Sequence, residues 1–222
     1  MTGIADAKPD PMQTAAYQAA ALAYLQDAPI ERAVLFRADT GWDPYHKFRD
    51  PAGMFGLGGE VDARALAFTL HGRMQATPRR VAVSGGDDKG YAVLAGRSAA
   101  GDVVQVLVVN YAIPAPFLTP TDKMRHEFIL PLGPERAKIS FQLLKRRGAE
   151  AAATDNGGYD LAVRNLPWGK KPFTVTRHRV DAVSTGTPYG RTRESGGQVR
   201  LKAVLPVPSV ELIELRVDRE GR

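Results

Sequence analysis

Arg37, Asp39, Trp42, Asp43, Tyr45 and His46 fall within ten consecutive positions of this 222-residue chain, and their side chains are suited to holding a ligand. The two aromatic rings offer flat apolar faces, while the carboxylates and the guanidinium direct hydrogen bonds. That mixture suits a ring-shaped, polyhydroxylated molecule, which can stack on one face and be hydrogen-bonded at its rim. The plainer alternative is an ordinary loop whose Trp42 and Tyr45 pack against the scaffold.

Other chemistries find little support. There are no cysteines, which excludes disulfides, thiol catalysis and Cys-ligated metals. His46, His71, His126 and His178 are far apart and show no ligand spacing, so neither a metal site nor any cofactor is expected. Gly56-Leu57-Gly58-Gly59 precedes a helical pattern but lacks both the full glycine fingerprint and a Gly-Lys-Ser/Thr ending. Ser98 and Ser195 sit in turn sequences without a nucleophile-elbow pattern.

The elements around the six residues read helix (13–27), strand (33–37), loop (38–59), helix (61–75). The first helix has Asp10 as an N-cap candidate and Pro11 at the first helical position. Ala15, Ala16, Ala19, Leu22 and Ala23 form an apolar stripe, and Tyr17, Ala21, Tyr24 and Leu25 extend it, so this helix expects cover on more than one face. Ala33-Val34-Leu35-Phe36 is short and wholly apolar, as in a parallel strand buried on both sides.

From Val81 the period becomes that of strands. Segments 90–97 and 102–110, joined by Ser98-Ala99-Ala100-Gly101, predict a hairpin; residues 103–109 should be central. Further strands are expected over 123–130, 137–144, 159–165, 173–181, 198–205 and 210–217. Many short strands at this spacing predict an antiparallel sandwich. The fold class is therefore mainly β: an antiparallel β-sandwich preceded by a helix–strand–helix remnant of a (β/α)8 barrel, with residues 1–78 as the incomplete barrel segment and 79–222 as the sandwich. Trp168, in a Pro-Trp-Gly turn, is expected to anchor sandwich packing.

The formal charge is +6, yet Arg79-Arg80, Lys145–Arg147, Lys170-Lys171, Arg177, Arg179, Arg191 and Arg193 are dispersed among acidic residues. A solvated, Arg-rich surface accounts for this better than a nucleic-acid face. No apolar run approaches the ~20 residues that span a bilayer, so no membrane partner is expected. The first eleven residues lack the basic and apolar regions of a signal peptide.

Several segments together resemble a known family. They are Tyr24-Leu25-Gln26-Asp27-Ala28-Pro29, then Arg32 through Asp39, Met54-Phe55-Gly56-Leu57, the helix 65–74, Tyr91 through Arg97, Val106 through Tyr111, Asn165-Leu166-Pro167-Trp168, and the closing 205–215. They are similar to the C-terminal portion of bacterial clan A glycoside hydrolases, most like family 39, which includes β-xylosidases and relatives acting on exopolysaccharides. The resemblance implies carbohydrate as the partner in an intact parent, with the missing barrel portion as a second partner. It also implies that Arg37, Asp39, Trp42, Asp43, Tyr45 and His46 belong to a sugar site. A retaining mechanism needs two carboxylates ≈ 5–5.5 Å apart. In clan A these glutamates follow the fourth and seventh strands. The first glutamate here is Glu31, beyond the presumed seventh helix, so neither catalytic glutamate carries over and the chain alone is expected to be inactive. A non-catalytic carbohydrate-binding sandwich is the alternative. A cut at this place would also leave the first helix without its bed.

Overall fold

The computed structural model describes residues 11–26, 54–55, 59–86, 91–111 and 158–218. The six loop residues from Arg37 to His46 lie outside them, as do the strands expected over 33–37, 123–130 and 137–144.

Among the described residues, two helices and eight strands form three layers. Helix α1 (Pro11–Leu25) and helix α2 (Ala63–Arg73), the latter followed by a 3-10 turn at Met74–Ala76, lie on one face of a six-stranded sheet. Its strands are β1 (Arg79–Val81), β2 (Tyr91–Arg97), β3 (Val103–Asn110), β5 (Phe173–Val180), β6 (Thr185–Glu194) and β8 (Ser209–Val217), in the order β1-β2-β3-β8-β5-β6. All its pairings are antiparallel. The opposite face is covered by β4 (Gly158–Val163) and β7 (Val199–Val204), which pair with each other.

The period of two decides which core each residue enters. On the helix side, Ala92, Leu94, Leu107, Val109, Val180, Val210 and Leu212 meet Met12, Ala15, Ala16, Ala19, Ala20, Ala23, Ala67 and Leu70. On the other side, Val104, Val106, Val108, Val175, Ile213 and Leu215 pack with Leu166, Trp168, Phe173, Val199 and Leu205. Every residue of β3 is buried, as expected of a central strand with cover on both faces.

The buried residues of α1 are mostly alanines, whose small side chains let the helix axis approach the sheet closely. The helix therefore does have a bed, the sheet itself, contrary to the expectation drawn from the missing barrel. The ring of Tyr24 meets that of Tyr111 edge-on, with centroids 6.2 Å apart, and the two hydroxyls are 3.0 Å apart, which ties the end of α1 to the chain just after β3. The hairpin turn is built as its sequence suggests. Ser98 Oγ accepts from the Asp102 and Val103 amides and donates to Asp102 Oδ1, while Gly101 takes φ 73°. Trp168 packs on Phe173 with ring centroids 5.6 Å apart, the anchoring role expected of it.

Two strands escaped the sequence reading, the short β1 and the strand β6. Edge strand β6 reads Thr-Gly-Thr-Pro-Tyr-Gly-Arg-Thr-Arg-Glu, with glycines, a proline and few apolar residues. Among the described residues it pairs only with β5, through two register shifts, and it is largely exposed. An edge tolerates Pro and bulges that a central strand does not.

Candidate functional site

The segment that carries the sequence-predicted ligand residues precedes α2, and the structure describes how the entry to that helix is held. Phe55 bridges to Val61 in antiparallel fashion, and the Asp62 amide donates to the Met54 carbonyl at 3.0 Å. Asp62 is the N-cap of α2, accepting from the Arg64 amide at 2.9 Å. The same carboxylate receives Arg64 Nε at 3.1 Å and Nη2 at 3.0 Å, a two-pronged pair. Arg64 is only 2% exposed, and its Nη1 has no hydrogen-bond partner among the described residues. Exposed Phe55 and Val61 flank this clamp.

The largest polar cluster among the described residues was not foreseen. Glu211, fully buried on β8, points into the inter-sheet layer. Its Oε1 accepts from Arg177 Nε at 2.7 Å and from the Tyr189 hydroxyl. Its Oε2 accepts from the Tyr159 hydroxyl at 3.0 Å and lies 3.6 Å from an Arg179 nitrogen. Arg177 also donates to the Tyr159 hydroxyl, and Arg179 donates to the Tyr189 hydroxyl at 2.9 Å and the Val204 carbonyl at 3.1 Å. Four strands from both sheets thus converge on one carboxylate.

Burial, with the neighbouring Glu211 charge adding to it, pushes the Tyr159 phenol far above its ordinary range; burial and the hydrogen bond to Glu211 push Tyr189 up to about 12. Both phenols therefore stay protonated as donors at neutral pH. The Arg177 guanidinium is held charged by Glu211 despite partial burial. With both oxygens engaged, Glu211 is not free to act as a nucleophile or general acid. Its role is to satisfy the guanidiniums and phenols that clasp the two sheets together.

This corrects the reading of Arg177 and Arg179 as members of a solvated surface. They flank a buried carboxylate because β4 and β7 cover that face of β5. The sequence could not show that a second sheet lay over Glu211. The only hint was a charged residue in a strand apolar at most other positions.

On the helix side, Thr77 Oγ1 donates to Gln105 Oε1 at 2.8 Å, and Gln105 Nε2 donates to Glu214 Oε2 at 3.0 Å. His178 of β5 meets Arg73 of α2 and the Gly186 carbonyl. No group of His, Asp and Glu residues able to hold a metal occurs among the described residues.

No protein-family model and no curated protein sequence matches the chain. Solved structures do. A glucosidase from Croceicoccus marinus is 40% identical over 99% of this chain, with a TM-score of 0.76. The chain is akin to the C-terminal portion of a family 39 glycoside hydrolase. A GH39 enzyme from Xanthomonas axonopodis pv. citri, 14% identical over 93% of the chain with a TM-score of 0.59, has the same fold. The family 39-like chain spans 44% of the first of these proteins and 41% of the second. The Asp62–Arg64 clamp lies at the start of α2, and the Glu211 cluster lies between the two sheets.

Proposed function

We propose that this chain is the C-terminal part of a family-39-like retaining glycoside hydrolase of the β-xylosidase or exopolysaccharide-hydrolase class, and that it does not hydrolyse glycosides by itself. The observation that carries the reading is 40% identity across 99% of the chain to a glucosidase of which the chain spans 44%. The activity of that protein makes glucosides candidate substrates beside xylosides. Residues 1–78 would supply the end of a barrel, with residues 79–222 as the sandwich buttressing it through α1 and α2.

In this reading Arg37, Asp39, Trp42, Asp43, Tyr45 and His46 form part of the substrate site, with Trp42 or Tyr45 stacking on a sugar ring. The acid/base and nucleophilic glutamates belong to a portion not contained in these 222 residues. The partner is then oligo- or polysaccharide, together with the remaining barrel.

The test is hydrolysis of chromogenic β-xylosides and β-glucosides by the 222-residue chain, with an intact family 39 enzyme as positive control. No turnover above the uncatalysed rate is expected. Turnover that survives purification and disappears on substituting a glutamate of this chain would sink the proposal. The second reading, a non-catalytic carbohydrate-binding sandwich, is favoured by the half-exposed Tyr189 ring on β6. It predicts sugar binding that persists when Trp42 is replaced by alanine.

A further inference from the structure

The clasp around Glu211 reaches the surface at one place. Tyr189 is 46% exposed, although its hydroxyl is held from within by Glu211 and by Arg179. The Arg179 guanidinium carbon lies 4.6 Å from the ring centroid and that of Arg177 lies 5.6 Å away. The ring is thus in contact with both guanidiniums and anchored at its tip, while the residue keeps an exposed surface toward solvent. Exposed Val204 adjoins it, because Arg179 also donates to the Val204 carbonyl. A ring already held in place loses little freedom when a ligand stacks on it.

The charge count favours one class of ligand. Arg177 and Arg179 face a single carboxylate, Glu211, and both phenols stay neutral, so the cluster carries one excess positive charge. On the outer face of the neighbouring sheet, Arg200 and Lys202 share Asp160, which adds a second excess. A neutral sugar could use the ring but not this field.

We propose that Tyr189 and Arg179 form a surface subsite for an acidic sugar residue, a uronate within a polysaccharide, stacked on the Tyr189 ring with its carboxylate toward Arg179. The proposal rests on the carbohydrate reading above and deepens it by naming a substrate class. Neither residue belongs to the 38–59 segment, so the two can be separated experimentally.

The test uses the full 222-residue chain, with trigalacturonate as the acidic probe and xylotriose as the neutral one. Amide chemical shifts and calorimetry are followed at low and raised salt. Trigalacturonate should shift amides of β5 and β6 around Tyr189, and bind at least about tenfold tighter than xylotriose at low salt, a margin that shrinks as salt rises. Tyr189→Ala should weaken trigalacturonate about tenfold or more, whereas Tyr189→Phe, which keeps the ring, should stay within about threefold. Arg179→Gln should bring the two probes close to equal affinity. The wild-type shift map stands even if a variant folds poorly.

Equal binding of the two probes, or unchanged affinity in a folded Tyr189→Ala chain, overturns the inference. Shifts confined to residues 38–59 also overturn it, while leaving the substrate-loop reading intact. Absence of shifts with either sugar counts against both.

Discussion

Removal of the Glu211 carboxylate is the sharpest perturbation the structure offers. Glu211→Ala takes an acceptor from Arg177 Nε, from Arg179 and from the hydroxyls of Tyr159 and Tyr189 at once. Truncating one partner of a buried ion pair costs about 3–5 kcal/mol, because the other charge stays behind uncompensated. Arg177 and Arg179 keep 19% and 17% side-chain exposure, so water reaches them in part and the lower end applies. At about 3 kcal/mol, with about 2–4 °C per kcal/mol for a chain of this size, the melting temperature should fall by about 6–12 °C. Thermal unfolding followed by far-ultraviolet circular dichroism measures this. Glu211→Gln, which keeps an acceptor but loses the charge, should fall between wild type and Glu211→Ala. A double-mutant cycle with Arg177→Met should be strongly non-additive, since either change alone strands the other residue. A shift below about 2 °C for Glu211→Ala, or simple additivity in the cycle, would refute the clasp as an energetic unit.

Three further outcomes follow from the packing and the titrating groups. A Cβ at Gly96 would stand 2.2 Å from the Thr77 carbonyl oxygen, a backbone atom that cannot swing aside, so Gly96→Ala should destabilise by about 1–3 kcal/mol in urea unfolding. Gly72→Ala, in α2 with open space around it, should be neutral or stabilise by about 0.4–1 kcal/mol and serves as its control. Leu70, 1% exposed in the helix-side core, should cost about 2–5 kcal/mol when cut to alanine, with α1 and α2 amides losing exchange protection together.

The third outcome concerns pH. Burial lowers His71 and His178 below their ordinary 6.5, with Arg73 adding to the effect at His178. The unfolded chain therefore binds more protons than the folded one just below pH 6.5, and stability should fall as pH drops through that window. In the alkaline range the sign reverses. Tyr91 and Tyr189 are raised from 10.0 to about 12, so stability should decline as pH rises above 10. Replacing His178 with Asn should flatten the acid limb, and an unchanged slope would count against this account.

Most of the strand plan was legible because each strand is bounded by turn residues and alternates toward two cores. The central place of β3 followed from its uninterrupted Val and Leu content, and the 98–102 hairpin from its Ser and Gly. Edge strand β6 was illegible for the converse reason: with little to bury, it has almost no pattern, and only its pairing with β5 makes it a strand. The helix starts shifted by two residues, within ordinary end effects. For α2 the cap that sets the start is Asp62, doubled as the partner of Arg64.

The sequence by itself determined the mainly β class, the two helices, the absence of thiol chemistry and the resemblance to the end of a glycosidase. These depend on local period and composition, or on motifs that lie close together in the chain. Only the tertiary structure decided which polar residues are buried. Tyr159, Arg177, Arg179, Tyr189 and Glu211 are spread over 53 positions and four strands, and none is unusual where it stands. What turns them from surface residues into a clasp is the second sheet laid over the first, and no local pattern records which faces of two distant strands will meet.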